Sequence, residues 1–280
     1  MTTNALASKT VLISGGSRGI GHAIAVKLAA AGANIVLLAK TGRAHDSLPG
    51  TVHTAVDDVV AAGGDGLAVV GDIRRDEDIA RAVDAALERF GAIDAVVNNA
   101  SAIDLSPAEH QQMKRYDLMH DINARGTFAL SRAVIPHLRH SAQHSGWVPK
   151  ILTLSPPLNL DPVWFGRHLA YTMSKYAMSM TTLGLAAELD EVGVSVNSLW
   201  PATLIETAAL RSIPEGEQLA RGARSPQIVA DAASSLLSGE ADFGTGQFLT
   251  DEQVLASVGV TDFAHYAVDP ASELVPDIFL

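Results

Sequence analysis

Three residues of this chain have types and spacing that suit proton transfer to or from an oxygen atom. Tyr171 and Lys175 lie four residues apart, and Ser155 follows an apolar run upstream. Side chains at positions i and i+4 of a helix share one face, so a helix would place the ammonium beside the phenol. An adjacent ammonium stabilises a phenolate and lowers the phenol pKa from about 10. The serine hydroxyl would then hold the oxygen that exchanges the proton.

The same three residues also have simpler interpretations. The spacing of Tyr171 and Lys175 fits a surface lysine beside a half-buried tyrosine. Ser155 fits a hydroxyl at a strand end, although the prolines that follow it favour a fixed, non-helical loop there. The chemical interpretation therefore depends on the other motifs of the chain.

A glycine-rich turn near the start of the chain is the strongest of these motifs. An apolar run over 9–14 predicts a buried parallel strand, and a helical pattern covers 23–31. The turn between them reads Gly15, Gly16, Ser17, Arg18, Gly19, Ile20 and Gly21. Glycines let the backbone approach a pyrophosphate, and a helix N-terminus offers it N–H groups. This order of strand, turn and helix predicts a dinucleotide site rather than an ordinary tight connection.

Strand-like and helix-like runs alternate along the whole chain. We expect strands over 9–14, 34–39, 66–70, 93–97, 150–154, 194–199 and 247–249, and helices over 23–31, 57–62, 75–90, 111–138, 170–191 and 227–237. This pattern predicts an α/β Rossmann fold with a doubly wound parallel sheet of about seven strands. We see no repeat or linker, so we expect one domain over 1–280 with a tail from about 251. The one long irregular loop, over 41–54, contains Pro49.

The composition argues against several functional classes. A formal net charge of −11 opposes binding to nucleic acid. The chain has no cysteine, and its ten histidines form no spaced array, so we expect no metal site. No apolar run is long enough for a membrane span, and the first residues do not resemble a signal peptide. These features predict a cytoplasmic protein.

These motifs together resemble the short-chain dehydrogenase/reductase family over nearly the whole chain. The resemblance rests on the glycine turn, on Asn98-Asn99-Ala100 after the fourth strand, and on Pro201 after the sixth. Segments 155–160, 162–165 and 197–201 resemble its hydroxysteroid-dehydrogenase-like branch, a label that does not identify the substrate. The implied catalytic residues are Asn123, Ser155, Tyr171 and Lys175. The implied cofactor contacts are Gly15, Ser17, Arg18, Gly19, Ile20, Gly21, Lys40, Asp72, Ile73, Asn99, Ala100, Tyr171, Lys175 and Pro201.

The resemblance implies that the protein interconverts an alcohol and a carbonyl by hydride transfer, with Tyr171 as the acid or base. It also implies that Lys175 holds the nicotinamide ribose and that Asn123 holds a water. From its residue type alone, Asn123 could instead be a buried amide satisfied by backbone. The alternative function is a non-catalytic NADP(H)-binding sensor or scaffold of the same fold. The complete set of Ser155, Tyr171 and Lys175 favours the enzyme, because a sensor needs no proton donor.

The end of the second strand indicates which dinucleotide is bound. An NAD enzyme usually places an acid there, whereas this strand ends in Ala39 and Lys40 follows. Arg18 in the turn and Arg43 in the loop would attract a 2′-phosphate. We therefore expect NADP(H), although Lys40 and Arg43 could be solvated loop charges. Asp72 matches a family position at the adenine, and it could also cap the following helix.

The chain departs from the family pattern at two positions. Ser155 and Tyr171 are separated by 16 residues, more than is usual, so 161–168 either covers the substrate or tucks its aromatics into the core. Ala202 replaces the usual glycine after the proline, which leaves Thr203, Ile205 and Thr207 as candidates for the nicotinamide contact. Six residues could line an apolar pocket or belong to the core: Trp164, Phe165, Trp200, Leu204, Met173 and Met119. A lipophilic substrate is favoured because no cluster of basic residues awaits a charged one. His168 could be a pocket histidine, although we expect a lone histidine in a loop at the surface.

The resemblance also implies a homotetramer or homodimer formed by helix 111–138 and the Tyr171 helix. The latter is apolar around much of its circumference, and small residues would let a symmetry mate approach. These residues are Ala177, Ser179, Gly184 and Ala187. Alternatively, the tail over 251–280 covers that face or reaches across to a neighbouring subunit.

Overall fold

The computed structural model describes residues 5–44, 50–213 and 215–280, and its centre is one parallel sheet. The seven strands follow the order β3-β2-β1-β4-β5-β6-β7, and all pairs are parallel. Their bounds are β1 Thr10–Ser14, β2 Asn34–Ala39, β3 Asp65–Val70, β4 Ala95–Asn98, β5 Lys150–Thr153, β6 Ser195–Trp200 and β7 Phe248–Thr250. The expected fold class and strand number are confirmed.

The central strands are apolar runs because helices cover both faces of the sheet. Every residue of β1 is buried, and Val11 pairs with Ile35 on one side and Ala95 on the other. Four helices, over 19–30, 52–61, 227–238 and 251–257, pack on one face. Three others, over 76–90, 127–144 and 162–189, pack on the opposite face. Both faces of the sheet therefore contribute to the core.

The helices follow the expected alternation with shifted ends. Their bounds are α1 Gly19–Ala30, α2 Val52–Ala61, α3 Asp76–Phe90, α4 Met113–Met119, α5 Thr127–His144, α6 Pro162–Leu189, α7 Ala208–Arg211, α8 Gly216–Leu219, α9 Gln227–Ser238 and α10 Asp251–Ser257. Short 3₁₀ turns cover Ala108–His110, Asp190–Val192, Ala220–Gly222 and Ala264–Tyr266. Helix α2 begins earlier than expected because Thr51 and Thr54 form a reciprocal capping box. Pro49 of the preceding loop lies outside the described residues.

The expected helix over 111–138 is a composite that runs past its predicted end. A π-helical segment, His120–Gly126, joins α4 to α5, and α5 continues through Pro136 to His144. The predicted end at residue 138, just past Pro136, was wrong. Pro136 is exposed, so the carbonyl one turn before it, which loses its helical partner, can bond to water.

The strand order places a topological switch point between β1 and β4. From β1, the sheet continues to β2 and β3 on one side and to β4 and the later strands on the other. Connections that leave adjacent strands toward opposite sides open a crevice at the strands' carboxyl ends, where such sheets bind ligands. The glycine turn after Ser14 and the segment after Asn98 both begin at this crevice.

Candidate active site

A cavity of about 520 Å³ lies in the crevice at the switch point. Thr207, a candidate from the sequence, also lines it. Ten of the residues predicted to bind a cofactor line it: Gly15, Ser17, Arg18, Gly19, Ile20, Lys40, Asp72, Ile73, Asn99 and Ala100. We call this space the crevice cavity. Its lining comes from the ends of β1, β2, β3 and β4, so the fold brings together residues that are far apart in sequence.

The glycine turn takes a backbone shape that side chains would strain. Gly15 and Gly19 have φ values of +73° and +58°, in the left-handed region. Helix α1 begins at Gly19, and no side chain caps its first N–H groups. Such groups, with the helix dipole behind them, attract a phosphate. Arg18 stands beside them and donates from Nη2 to the Gly50 carbonyl at 3.0 Å.

Gly21 lies behind this turn rather than in the cavity lining. A Cβ on Gly21 would stand 2.4 Å from Nδ2 of Asn99, so only glycine leaves room for that amide. Asn99 Nδ2 donates to the carbonyls of Ser14 and Gly15, each at 3.0 Å. The amide thus fixes the turn from behind, and the cradle fits the pyrophosphate of a dinucleotide.

Two charged residues line the crevice cavity at the ends of β2 and β3: Lys40, and Asp72, whose carboxylate is paired with an arginine. Lys40 is exposed and follows the last residue of β2, Ala39. The Asp72 carboxylate pairs with the Arg74 guanidinium at 2.6 Å, and this hydrogen bond holds the pKa of Asp72 below its usual value. Asp72 does not cap α3, because the N-cap position is Arg75, whose side chain makes no capping bond.

Ser155 lies just past β5, in a chain of three buried hydroxyls. Its Oγ stands 2.8 Å from Oγ of Ser198 on β6, and Ser198 donates to Oγ1 of Thr182 at 2.8 Å. Because the Ser198 hydroxyl uses its one proton in the bond to Thr182, Ser155 is the donor in the bond between the two serines. The sequence analysis missed Ser198 and Thr182, because their link to Ser155 depends on β5 and β6 being neighbours in the sheet.

Tyr171 and Lys175 lie on α6 and are both buried. Lys175 Nζ donates to the Leu154 carbonyl at 2.7 Å and lies 4.9 Å from the ring centroid of Trp200. Burial lowers the pKa of Lys175 to about 7 and raises the pKa of Tyr171 above its ordinary value. The expected lowering of the Tyr171 pKa by Lys175 was therefore wrong for this arrangement, because burial is the dominant influence.

Asn123 lies in the π-helical segment and is fully buried. Its Oδ1 accepts from the Ala102 N–H at 2.8 Å, and its Nδ2 donates to the Ala102 carbonyl and to Ser174 Oγ, both at 2.9 Å. This is the buried amide satisfied by backbone that was the alternative interpretation. It ties the crevice cavity, which Ala102 lines, to the helix that carries Tyr171.

The residues of the expected apolar pocket separate into three groups. Most of them pack around Tyr171, namely Met119, Trp164, Phe165 and Trp200. Met173 is instead 44% exposed on the outer side of α6, and Leu204 packs in a different cluster with Leu210. The assignments of Met173 and Leu204 to the pocket were wrong. A period of about 3.6 turns Met173 away from the face that holds Tyr171.

Segment 161–168 is helical, because α6 begins at Pro162 with Asp161 as its N-cap. A kink at His168 separates this first part from the rest of the helix. His168 was expected at the surface and is buried, with Nδ1 3.0 Å from Thr172 Oγ1. Burial lowers its pKa. Its Nε2 has no hydrogen-bond partner among the described residues.

The segment after β6 contributes little to the crevice cavity. Pro201, Thr203 and Ile205 are buried and are not among its lining residues. The N–H of Ala202 donates to Oδ1 of the buried Asp251 at 2.9 Å. The alanine at position 202 is therefore held by an acid from α10.

The last part of the tail, Val275–Leu280, lies against Tyr171 and Lys175, and we call it the tail segment. Asp277 belongs to it, and burial raises the pKa of this carboxyl to about 7, in an environment shared with Lys175. Phe279 is fully buried, and its ring is stacked on that of Tyr171 with centroids 6.1 Å apart. The sequence analysis considered Phe279 only as part of the tail over 251–280, because nothing local relates position 279 to position 171.

The outer face of α6 remains exposed, so the alternative in which the tail of the same chain covers it was wrong. Met173, Ala177, Met180, Gly184 and Ala187 form a stripe of exposed or half-buried residues along this face. Ser179 does not belong to it, because its hydroxyl points inward and donates to the Pro156 carbonyl at 2.7 Å.

Two absences hold for residues 5–44, 50–213 and 215–280, the part of the chain that the structure describes. Within them, no helix is both long enough and apolar enough to cross a bilayer. In the same part of the chain, we found no cluster of three or more His, Asp or Glu side chains arranged for a metal ion.

Comparison with known proteins relates this geometry to a family. A family model described as short chain dehydrogenase matches residues 9–218. Hydroxysteroid dehydrogenase-like protein 2 of Danio rerio is 48% identical over 99% of this chain, which spans only 65% of that protein's length. A short chain dehydrogenase from Mycobacterium thermoresistibile is 45% identical, with a TM-score of 0.89 over 98% of this chain and 96% of that one. An NADH-dependent reductase solved with NAD is 28% identical, with a TM-score of 0.73 over 88% and 96% of the two chains. The chain belongs to the short-chain dehydrogenase family.

Proposed function

We propose that the protein is an oxidoreductase that interconverts an alcohol and a carbonyl with a nicotinamide cofactor, by hydride transfer. One observation carries this proposal: Lys175, one turn from Tyr171, bonds the main chain next to Ser155. This bond joins α6 to the end of β5 and brings a phenol, an ammonium and a hydroxyl to the edge of the sheet that also holds the crevice cavity. A site that only senses a dinucleotide has no use for this set.

The crevice cavity supplies the residues that would hold the cofactor. The turn from Gly15 to Gly21 would take the pyrophosphate, and Asn99 and Ala100 line the wall toward the catalytic residues. Tyr171 and Lys175 would complete the nicotinamide end. When bound, the cofactor gives a hydride to the carbonyl carbon or accepts one from the carbinol carbon.

The three catalytic side chains then manage the proton on oxygen. Tyr171 donates its phenolic proton to the carbonyl oxygen in reduction, and Ser155 holds that oxygen by turning its hydroxyl away from Ser198. Burial raises the pKa of Tyr171, so the phenol keeps its proton at neutral pH and is ready to act as the acid. Oxidation needs the phenolate, which burial opposes. Oxidation is therefore expected to need a higher pH than reduction.

We propose NADP(H) rather than NAD(H) as the cofactor. Two observations support this choice: Lys40 lines the end of the crevice cavity, and β2 ends in Ala39 without an acid. Asp72 is already paired with Arg74, which reduces the repulsion that its carboxylate would exert on a phosphate. A dianionic 2′-phosphate would form charge-assisted hydrogen bonds with Lys40 and Arg18, and an uncharged ribose hydroxyl would lack this ionic attraction.

We propose a lipophilic substrate, because the side chains around Tyr171 are mostly aromatic. The deciding experiment is a turnover screen of the purified chain against aliphatic, terpenoid and steroid ketones with NADPH and NADH. Consumption of NADPH with formation of the matching alcohol supports the enzyme. Tight NADPH binding without turnover of any ketone would instead favour the sensor.

We also propose a homodimer or homotetramer, based on the exposed stripe of α6 from Met173 to Ala187. Met180 in this stripe is 62% exposed, and Phe128 of α5 is 53% exposed. Apolar surface of this kind is buried when two copies meet about a two-fold axis. Light scattering at micromolar concentration should give a multiple of the 29.3 kDa monomer mass. A clean monomer would reject the proposal.

A further inference from the structure

The tail segment, Val275–Leu280, is bound along the residues that follow β6. The N–H of Leu204 donates to the Val275 carbonyl at 2.9 Å, and the N–H of Asp277 donates to the Ala202 carbonyl at 3.2 Å. Trp200 Nε1 donates to the carbonyl of Ile278 at 3.0 Å. These bonds bring the tail segment to the catalytic side chains, although it lies about a hundred residues beyond them in sequence.

Phe279 occupies the centre of a group of aromatic rings. We call the surrounding rings the aromatic cage; their centroids lie 5.8 Å (Trp164), 5.7 Å (His168), 6.1 Å (Tyr171), 5.3 Å (Tyr176) and 6.0 Å (Trp200) from the Phe279 centroid. The cage includes the ring of the proposed proton donor. The residues that line the crevice cavity include neither Tyr171 nor Ser155. While Phe279 is seated, the cage leaves little room for a substrate beside Tyr171.

Two features make the aromatic cage an unfavourable environment for Phe279. The backbone of Phe279 has a φ of +77°, a left-handed conformation that is strained for a bulky residue. The cage also leaves Nε2 of His168 buried without a partner among the described residues, and a phenyl ring cannot satisfy it. Strain and an unsatisfied nitrogen both oppose the burial of the ring. Moving the Phe279 ring out of the cage therefore costs less free energy than exposing a ring that is buried in an unstrained core position.

We propose that Phe279 is a displaceable plug and that a ring of the substrate takes its place in the aromatic cage. The proposal rests on the proposed function and narrows its substrate to ketones or alcohols that carry an aromatic or alicyclic ring next to the reacting carbon. A ring stacked on Tyr171 would place a neighbouring oxygen close to the phenolic hydroxyl. The tail segment moves out as the substrate enters and returns when the product leaves.

The first test compares the reduction of acetophenone and butanone by the full chain and by its Phe279→Ala variant. Removing the plug removes a competitor, so KM should fall at least threefold for both ketones and kcat should not decrease. The wild type should prefer acetophenone, because only that ketone has a ring. The control is Phe263→Ala, which removes a half-buried tail aromatic outside the cage and should leave both KM values unchanged.

Three kinetic outcomes would overturn the proposal or the substrate class that belongs to it. If Phe279→Ala raises KM for acetophenone tenfold in a folded protein, Phe279 is a fixed wall of the site and not a plug. If both KM values stay within twofold of the wild type, Phe279 does not stand in the path of the substrate. A preference for butanone in the wild type would overturn the substrate class.

A second measurement does not depend on turnover and separates failure of the plug from failure of the proposed function. Hydrogen exchange by mass spectrometry would follow the tail segment in the Tyr171→Phe variant, with and without millimolar acetophenone. We expect exchange in the tail segment to speed up when acetophenone is present. Unchanged or slower exchange would overturn the plug. If exchange speeds up and the wild type reduces neither acetophenone nor any ketone of the turnover screen, the plug stands and the proposed function fails.

Discussion

The crevice cavity and the aromatic cage lie side by side, and they are built in opposite ways. The crevice cavity is open and is lined largely by backbone and small residues at strand ends, such as Gly15 and Ala100. The aromatic cage is filled by Phe279 of the tail segment, and its own rings come from α6 and from β6. Short segments at the ends of neighbouring parallel strands determine the first region. The second region depends on contacts between α6, β6 and a tail about a hundred residues further along the chain.

This difference fits the two proposed roles, in which the crevice cavity binds the cofactor and the aromatic cage selects the substrate. A cofactor shared by many enzymes can be held by a backbone shape, which depends on few side chains. A substrate must be distinguished from other carbonyl compounds, and shape discrimination requires side chains. The variants below test whether the two regions are as independent as their construction suggests.

The sharpest separation should come from Tyr171→Phe. Loss of the proton-donating oxygen should reduce kcat by about 10³-fold or more, while the dissociation constant for NADPH stays within about twofold. Tyr266→Phe is the matched control, since it removes a phenolic oxygen bonded to Asp231 away from the cage. Stopped-flow turnover and fluorescence titration give the two quantities. Substantial activity in Tyr171→Phe would show that another group donates the proton.

Asn123→Ala should damage both regions together, because this amide links Ala102 to Ser174. The variant leaves the N–H and the carbonyl of Ala102 without their partners, which should lower the free energy of unfolding by about 2–4 kcal/mol. Asn34→Ala, which removes one long bond at the surface, should cost less than about 1 kcal/mol. Urea unfolding measures both. Equal losses in the two variants would contradict the linking role of Asn123.

Asp277→Asn should change how stability depends on pH. Burial raises the folded-state pKa of Asp277 to about 7, whereas the unfolded value is about 4. The folded state thus holds the proton more firmly, and the wild type loses stability as pH rises from about 4 to about 7. Because Asp277 is partly exposed, we expect the variant to gain about 1–2 kcal/mol over the wild type between pH 5 and pH 8.

The control for this pH effect is Asp262→Asn, which changes an exposed carboxylate outside the tail segment. Its difference from the wild type should be the same at both pH values. Parallel pH profiles for Asp277→Asn and the wild type would mean that the Asp277 carboxyl is solvated in solution.

The smallest effect concerns the crevice cavity alone. NADPH should bind at least tenfold more tightly than NADH, a difference of about 1.4 kcal/mol, and Lys40→Ala or Arg18→Ala should narrow that gap. Lys114→Ala, an exposed cation that does not line the cavity, should leave the ratio unchanged. Isothermal titration provides the constants. Equal affinities in the wild type, or tighter binding of NADH, would reject the assignment of NADP(H).

Local sequence signals were sufficient for the sheet and for the crevice cavity. The apolar run before Gly15 and the glycines after it act within one βα unit, so their structure could be predicted without knowing the rest of the chain. The family resemblance added Asn99 and Ala100, which lie at the neighbouring strand end. The NADP preference, the oligomer and the cytoplasmic location stay predictions.

The aromatic cage could not be predicted in the same way. Helical periodicity could have predicted that Met173 faces away from Tyr171, but no local pattern shows that Phe279 reaches Tyr171. The burial of His168 depends on the kink in α6 and on the tail segment. The pKa of Tyr171 was predicted in the wrong direction because i,i+4 spacing indicates a neighbour and says nothing about the loss of solvent around both groups.

The exposed stripe of α6 has a geometric consequence for the catalytic helix. Its members, Met173, Ala177, Met180, Gly184 and Ala187, are spaced alternately by four and three residues, an average of 3.5. Because this is slightly less than the 3.6 residues of a helical turn, two copies that keep the stripe in contact must wrap around each other with a left hand. Their axes would cross at about +20°. Since Tyr171 lies on the inner side of the same helix, such a pair of α6 helices would carry both proposed proton donors and would be stiffer than either helix alone.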